Sequence, residues 1–271
     1  MRVLQIYPQY KINNSPMNAR THKNCDSLSF KSWMRERYLK TGFNRNNTSF
    51  FRDGDFIKNL TDMLSEKFKD IPKVNVYCFG CSDGSEALSF IMNMLANTKE
   101  INPQKFFPII ARDIDPFAID KAMKQVHHMT KDEKDRVNYY TNGQYDRFVE
   151  QPYGEPREPI DKNDCGTRIL IKKDLFDNVD FAVGDIFENY KEIEPENSVV
   201  MARNFWPYVK GSEKRKQFFK DLYQHLDFGS YFVIGNFDQK GLIYNLQGDL
   251  RADLEHRIGF KPTSIENVFV K

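Results

Sequence analysis

The stretch Val74 to Glu86, V-N-V-Y-C-F-G-C-S-D-G-S-E, constrains this chain more than any other. Its apolar residues alternate through Val74, Val76 and Cys78 and give way to Gly80, Ser82, Asp83 and Gly84. From Ala87 to Leu95 the apolar residues recur at helical spacing. A strand, a glycine turn and a helix form the opening unit of an open α/β sheet, whose ligand crevice lies at the carboxyl end of the first strand. Glycine there permits positive φ and lets a ligand approach the backbone. The free N–H groups at the start of the helix suit a polar ligand edge. The turn lacks G-x-G-x-x-G, which argues against a nicotinamide dehydrogenase.

The rest of the chain repeats the strand-helix rhythm, with one interruption. Residues 1 to 43 read as an amino-terminal arm with one amphipathic helix, Ser27 to Lys40, whose basic face is either solvated or docks an acidic partner. Asn44 to Asp53, N-R-N-N-T-S-F-F-R-D, leads into a helix over Gly54 to Lys69 with Phe56, Leu60, Met63, Leu64 and Phe68 as its apolar stripe. Capping explains its Asn and Thr residues but not the order Phe50-Phe51-Arg52. A second strand, Phe107 to Ala111, ends in Arg112-Asp113-Ile114-Asp115-Pro116. Asp113 is placed to accept hydrogen bonds from a ribose diol, and Asp115 before Pro116 reads as a helix cap.

Residues from about 127 to 173 break the rhythm and read as an insertion, a small antiparallel piece with Glu150 to Asp164 as either a loop or a cover over the site. Strands then follow at Val179 to Val183, Val199 to Ala202 and Tyr231 to Gly235, with a helix over Glu213 to Leu226. A helix near Asp249 to Ile258 and a hairpin over Thr263 to Val270 close the chain.

Composition narrows the partners. The 271 residues carry a formal net charge of +2, which gives no support to a dedicated nucleic-acid binder. No apolar run approaches membrane-spanning length and the amino terminus lacks a secretory signal, so no membrane insertion and a cytoplasmic location are expected. Cys78 and Cys81 form a C-x-x-C, but no second pair completes a zinc site, and buried thiols are expected instead. His127-His128, taken as helical, would point apart. No metal site is expected.

The strings N-N-T-S-F-F-R-D, F-G-C-S-D-G-S-E-A-L-S, A-R-D-I-D, G-D-I-F-E and A-R-N-F-W-P-Y resemble the CheR-type S-adenosylmethionine-dependent methyltransferases that esterify glutamates on bacterial chemoreceptors. The similarity runs from about Asn44 to the carboxyl end. It implies a three-layer, Rossmann-like class I methyltransferase fold over 44–271, with a mostly parallel seven-stranded sheet and an antiparallel end strand. It implies S-adenosylmethionine as cofactor and S-adenosylhomocysteine as product. Donor contacts would fall on Asn46, Thr48, Arg52, Gly80, Glu86, Asp113 with Ile114, Asp185 with Ile186, and Arg203 with Asn204. Arg52, Arg203 and Tyr208 are the implied catalytic residues, Tyr208 near the transferable methyl.

The chemistry needs few groups. An acceptor glutamate, with a pKa near 4.3, is already ionised at neutral pH and requires no general base, so catalysis is mostly positioning. The planar forks of Arg52 and Arg203 could orient a carboxylate or hold structural acids. The implied partner is a chemoreceptor or another protein carrying acceptor glutamates. Three features depart from the family. One helix and an arm stand where it has a helical domain, Asp185 stands where it often has Asn, and Ala87-Leu88 and Phe205-Trp206-Pro207 alter two of its strings. A small-molecule acceptor, another protein group, or a non-catalytic donor-binding sensor are the alternatives.

Overall fold

The structure is a computed structural model that describes residues 48–98, 101–150, 166–209, 211–239 and 250–271. The helix expected at Ser27 to Lys40, Asn46, and residues 151–165 lie outside the described residues.

Helix α1 (Gly54–Lys67) precedes β1 (Asn75–Phe79), and α2 (Ser85–Asn97) follows the glycine turn. Strand β2 (Ile109–Asp113) feeds α3 (Pro116–Met123), whose first turn is capped by the Asp115 side chain accepting from the Phe117 N–H. Three short strands come next, β3 (Val126–Met129), β4 (Val149–Glu150) and β5 (Thr167–Ile171), with α4 (Lys131–Tyr140) between β3 and β4. The main sheet resumes with β6 (Val179–Val183) and β7 (Ser198–Ala202), then α5 (Ser212–His225), β8 (Tyr231–Val233), β9 (Lys261–Pro262) and β10 (Val268–Val270).

The seven-stranded sheet has the order β6-β2-β1-β7-β8-β10-β9. The first five strands pair in parallel, and β10 runs antiparallel to β8 and β9. Without the insertion's strands, the chain order reads 3-2-1-4-5-7-6, with its switch point between β1 and β7. This is the expected class I methyltransferase fold, and the switch point is where an open α/β sheet presents its crevice.

Pleating divides the core into two layers of side chains. Val76 and Cys78 point toward Leu60 and Leu64 of α1 and Leu88 and Ile91 of α2, whereas Tyr77 and Phe79 point toward Phe218, Phe219 and Leu222 of α5. With both faces covered, β1 and β7 are apolar almost throughout and buried on both sides, as parallel strands require.

The insertion forms a separate antiparallel sheet, β3-β5-β4. The run K-D-E-K-D-R is helical because Thr130 and Glu133 form a reciprocal capping box at its start. One reading is corrected: His127 and His128 lie on strand β3, not on a helix. Strand alternation still points them apart, leaving His127 buried and His128 exposed. The closing helix also differs from expectation. A short turn at Leu250–Ala252 runs into a π-helical turn, Asp253–Ile258, which ends at Gly259 with φ +109°.

Candidate active site

The site is built at the carboxyl ends of β1, β2, β6 and β7. Gly80, Ser82 and Gly84 have φ of +69°, +54° and +87°, so the turn after β1 adopts left-handed backbone three times in five residues. For Gly80 and Gly84 this conformation is readily accessible. Ser82 is held by its N–H, which donates to the Asp113 Oδ2 at 2.8 Å. The other oxygen of Asp113 accepts from the Asp115 N–H at 2.9 Å. Burial raises the Asp113 pKa to about 6, with these amides pulling the other way. Its oxygens retain lone pairs for a further donor.

Gly80 carries a qualification to the sequence reading. A Cβ at that position would lie 2.7 Å from the Phe205 ring, so the space beside this glycine is filled by the chain's own aromatic side chain. Asp83, one step further on, accepts from the N–H and hydroxyl of Ser85 at 3.1 and 2.6 Å and pairs with Lys121 at 3.3 Å. Burial opposes the charge of Asp83, but its charged neighbours and these hydrogen bonds hold its pKa below the usual value.

The string N-T-S-F-F-R-D turns out to be an anchor. Phe50 and Phe51 are fully buried; the Phe50 N–H donates to Glu133 of α4 at 3.1 Å and the Phe51 N–H to the Ser89 hydroxyl of α2 at 3.0 Å. Phe51 stacks on Tyr140 with ring centroids 5.3 Å apart. Two plugged rings thus fix the position of the next two residues, Arg52 and Asp53. Those residues meet the strand ends: Arg203, just beyond β7, pairs with Asp53 at 2.6 Å and with Glu86 at 2.7 Å, and lies 4.3 Å above the Phe56 ring. Arg52 approaches the same Glu86 oxygen at 4.0 Å.

The fork of Arg203, whose side chain is 2% exposed, is therefore taken up by structural acids, the second of the two roles open to it. Burial disfavours its charge, but Glu86 and Asp53 more than offset that and raise its pKa. Arg52 differs, with 35% of its side chain exposed at the rim.

Beyond Arg203, Asn204 has φ +64° and its N–H donates to Asp238 Oδ2 at 2.6 Å. Asp238 also accepts from the Gly235 N–H at 2.7 Å and the Trp206 N–H at 3.1 Å. It is 1% exposed, and burial pushes its pKa up to about 7 against the pull of those amides and Arg203. Sequence reasoning missed Asp238, which lies past β8 in a stretch without a recognisable motif. Tyr208 is half-buried in the turn Trp206–Tyr208. On the far side, Asp185 caps the short helix Ile186–Asn189 through the Phe187 N–H at 3.0 Å, and Ile186 is buried. Gly184 N–H donates to the Asp113 carbonyl at 2.9 Å, joining this corner to the β2 end. Thr48 and Ile114 are half-buried.

Cys78 and Cys81 are free and buried, and burial pushes their thiols well up, so they stay protonated. Among the described residues no group of three or more His, Cys, Asp or Glu could hold a metal. No described helix is long and apolar enough to cross a membrane.

These groups fit an S-adenosyl donor. The buried Ser82 hydroxyl has no hydrogen-bond partner among the described residues, and neither does the Nε of Arg203. A buried polar atom without a partner is costly; here the two belong to residues hydrogen-bonded to the carboxylates Asp113 and Glu86. Amino-acid, ribose and base portions would find, in that order, Glu86, Asp113 with Ser82, and Asp185 with Ile186.

The family model described as CheR methyltransferase, SAM binding domain, matches residues 46–241. No curated protein matches the sequence. Among solved structures, a TehB-like SAM-dependent methyltransferase from Corynebacterium glutamicum is 15% identical, covering 87% of this chain and 91% of that one, with a TM-score of 0.37. A SAM-dependent methyltransferase from Anabaena variabilis is 14% identical, with 76% and 60% covered and a TM-score of 0.35. The plantazolicin methyltransferase BamL, solved with a desmethyl plantazolicin analogue and SAH, is 12% identical, with 76% and 52% covered and a TM-score of 0.34. The chain thus spans between half and three fifths of the last two proteins.

Proposed function

This chain belongs to the CheR methyltransferase family; from that premise we propose that it is an S-adenosylmethionine-dependent methyltransferase whose acceptor is a carboxylate, most simply a protein glutamate. The observation that carries the proposal is Arg52. Its guanidinium stands partly exposed at the rim, 4.0 Å from Glu86, on a segment whose two preceding side chains are wholly buried. A planar fork on a fixed base is suited to orienting an incoming carboxylate.

The cofactor, when bound, supplies a methyl group on a sulfonium centre. The chain's own residues have a different task. An ionised acceptor needs no proton removed, so the protein must hold two reactants in line, and positioning of this kind accounts for large rate effects. Glu86, Asp113 and Asp185 hold the donor in this reading, Arg52 orients the acceptor, and Tyr208 shapes the space between them. Arg203 serves from behind, as the cation that keeps Asp53 and Glu86 in place. A chemoreceptor, or another protein presenting glutamates, is the proposed partner.

Incubation with methyl-labelled S-adenosylmethionine and a bacterial extract tests the proposal. Label carried on protein and released as volatile methanol by mild base is the expected result, because carboxyl methyl esters hydrolyse under conditions that spare N-methyl groups. Protein label that resists base would overturn the carboxylate assignment. Saturable binding of S-adenosylhomocysteine with no transfer would favour the sensor. Arg52→Ala is expected to lower transfer about 100-fold, in the range seen when an orienting donor is lost, while leaving S-adenosylhomocysteine affinity within a few-fold.

A further inference from the structure

The loop after β7 and the loop after β8 leave the sheet as separate segments, yet a single buried side chain ties them together. Asp238 accepts from the Asn204 and Gly235 amides on Oδ2, at 2.6 and 2.7 Å, and from the Trp206 amide on Oδ1 at 3.1 Å. Its own N–H returns to the Gly235 carbonyl at 3.1 Å. The two loops are pressed so closely that a Cβ on Gly235 would overlap Asn204. Asn204 is meanwhile held at φ +64°, a left-handed conformation that Asn tolerates better than most residues but adopts at some cost.

A carboxylate receiving several N–H donors at a strained turn is a local template. It fixes the direction in which the next side chains leave the backbone. Here those side chains are Arg203, one residue before the pinned amide, and Tyr208, two residues after the second. Arg203 in turn holds Asp53 and Glu86. One buried carboxylate is thereby hydrogen-bonded to the amides on both sides of the turn that carries Arg203 and Tyr208.

We propose that Asp238 is a positioning residue for methyl transfer, acting through the Asn204 and Trp206 amides to aim Asn204 and Tyr208 at the donor and to hold Arg203 behind Glu86. This rests on the reading that the crevice at the ends of β1 and β7 holds the donor. The groups that face Asp238 are the three amides and, electrostatically, Arg203. Protonation of Asp238 leaves one oxygen as a poorer acceptor, so the aim of the loop depends on its charge.

The test begins with calorimetric titration of S-adenosylhomocysteine into the wild-type chain between pH 5.5 and 8.5. Binding that strengthens as pH rises through neutrality is expected, and Asp238→Asn is expected to bind about tenfold more weakly at pH 8, losing the part of the rise around pH 7 and keeping only the part at lower pH that Asp113 contributes. Asp238→Glu should recover part of the affinity. Unchanged affinity and an unchanged pH profile in a folded Asp238→Asn protein would overturn the proposal. Should that variant fail to fold, amide NMR on the wild type decides: the Asn204, Trp206 and Gly235 resonances are expected to move together on saturation with S-adenosylhomocysteine. Shifts confined to Gly80–Glu86 would overturn the proposal while leaving the donor site intact. No binding by the wild type at any pH would instead remove the donor reading on which it stands.

Discussion

The two sides of the crevice use the same device from different materials. On the β2 side, Asp113 holds the amide of Ser82, a non-glycine residue with φ +54°, across 31 residues of sequence. On the β8 side, Asp238 holds the amide of Asn204, with φ +64°, across 34 residues. In each case the ladder of the parallel sheet has just ended, and a buried carboxylate replaces it as the acceptor for the next loop. A left-handed non-glycine residue costs roughly 1–2 kcal/mol. A hydrogen bond to a charged group contributes about 1.5–3 kcal/mol, enough to offset that cost. The difference lies in the supporting cast. Asp113 works beside two positive-φ glycines and accepts two amides, whereas Asp238 works beside Gly235, whose φ is not positive, and accepts three. Where the loop carries fewer glycines, the carboxylate carries more hydrogen bonds.

This comparison ranks two truncations. Asp238→Ala orphans three buried amides and is expected to lower unfolding free energy by about 3–6 kcal/mol, from about 1–3 kcal/mol for each unsatisfied group with partial relaxation. Asp113→Ala orphans two and should cost about 2–4 kcal/mol on the same basis. Urea unfolding followed by circular dichroism measures both. A larger loss at Asp113 would break the comparison, since it would mean that the glycine turn depends on its carboxylate more than the β7 loop does. Asp113→Ala should also abolish S-adenosylhomocysteine binding in calorimetry, because the proposed function gives this carboxylate the ribose.

Titration separates the two sides further. Both carboxylates have folded-state pKa values raised by burial, to about 6 for Asp113 and about 7 for Asp238, against an unfolded value near 3.9. Between those limits the folded chain holds more protons than the unfolded one, so each group's contribution to stability falls as pH rises. For Asp113 the fall is complete near pH 6 and for Asp238 near pH 7. The difference in unfolding free energy between wild type and Asp238→Asn should therefore change progressively from about pH 4 to pH 7 and level off above it. A difference that levels off below pH 6 would show that the amides, not burial, dominate at Asp238.

How much of this was legible in the sequence follows from how local each interaction is. The turn Gly80 to Gly84, the Asp115 cap and the strand at Val179 to Val183 are set by neighbours within a few residues, and they stand where expected. The open α/β sheet followed from the strand-helix rhythm, and its seven strands and antiparallel end from the family resemblance. Phe50-Phe51 was recognisable as unexplained by capping, but its partners Glu133, Ser89 and Tyr140 lie 38 to 89 residues away. The pairing of Arg203 with Asp53 spans 150 residues and no pattern announces it. Asp238 was invisible for the same reason: a lone acid after a strand looks like any solvated acid until the loop that folds against it is known. His127 was misplaced because a four-residue strand inside an insertion carries too few residues for its period to be read.

The smallest expected effect probes the exposed edge of the same turn. Lys121 on α3 pairs with Asp83 at 3.3 Å, but its side chain is 55% exposed. Asp83 also accepts from both polar groups of Ser85, which hold it at the start of α2 without help from the lysine. A pair of this kind contributes about 0–1 kcal/mol, screened by salt. Lys121→Ala should therefore shift the urea midpoint only slightly, and the shift should vanish at high salt. A loss above about 2 kcal/mol that persists at high salt would exceed the range of an exposed pair. It would mean that the glycine turn is held from its outer edge as well as by Asp113, and that the two sides of the crevice differ in kind rather than in the number of amides their carboxylates receive.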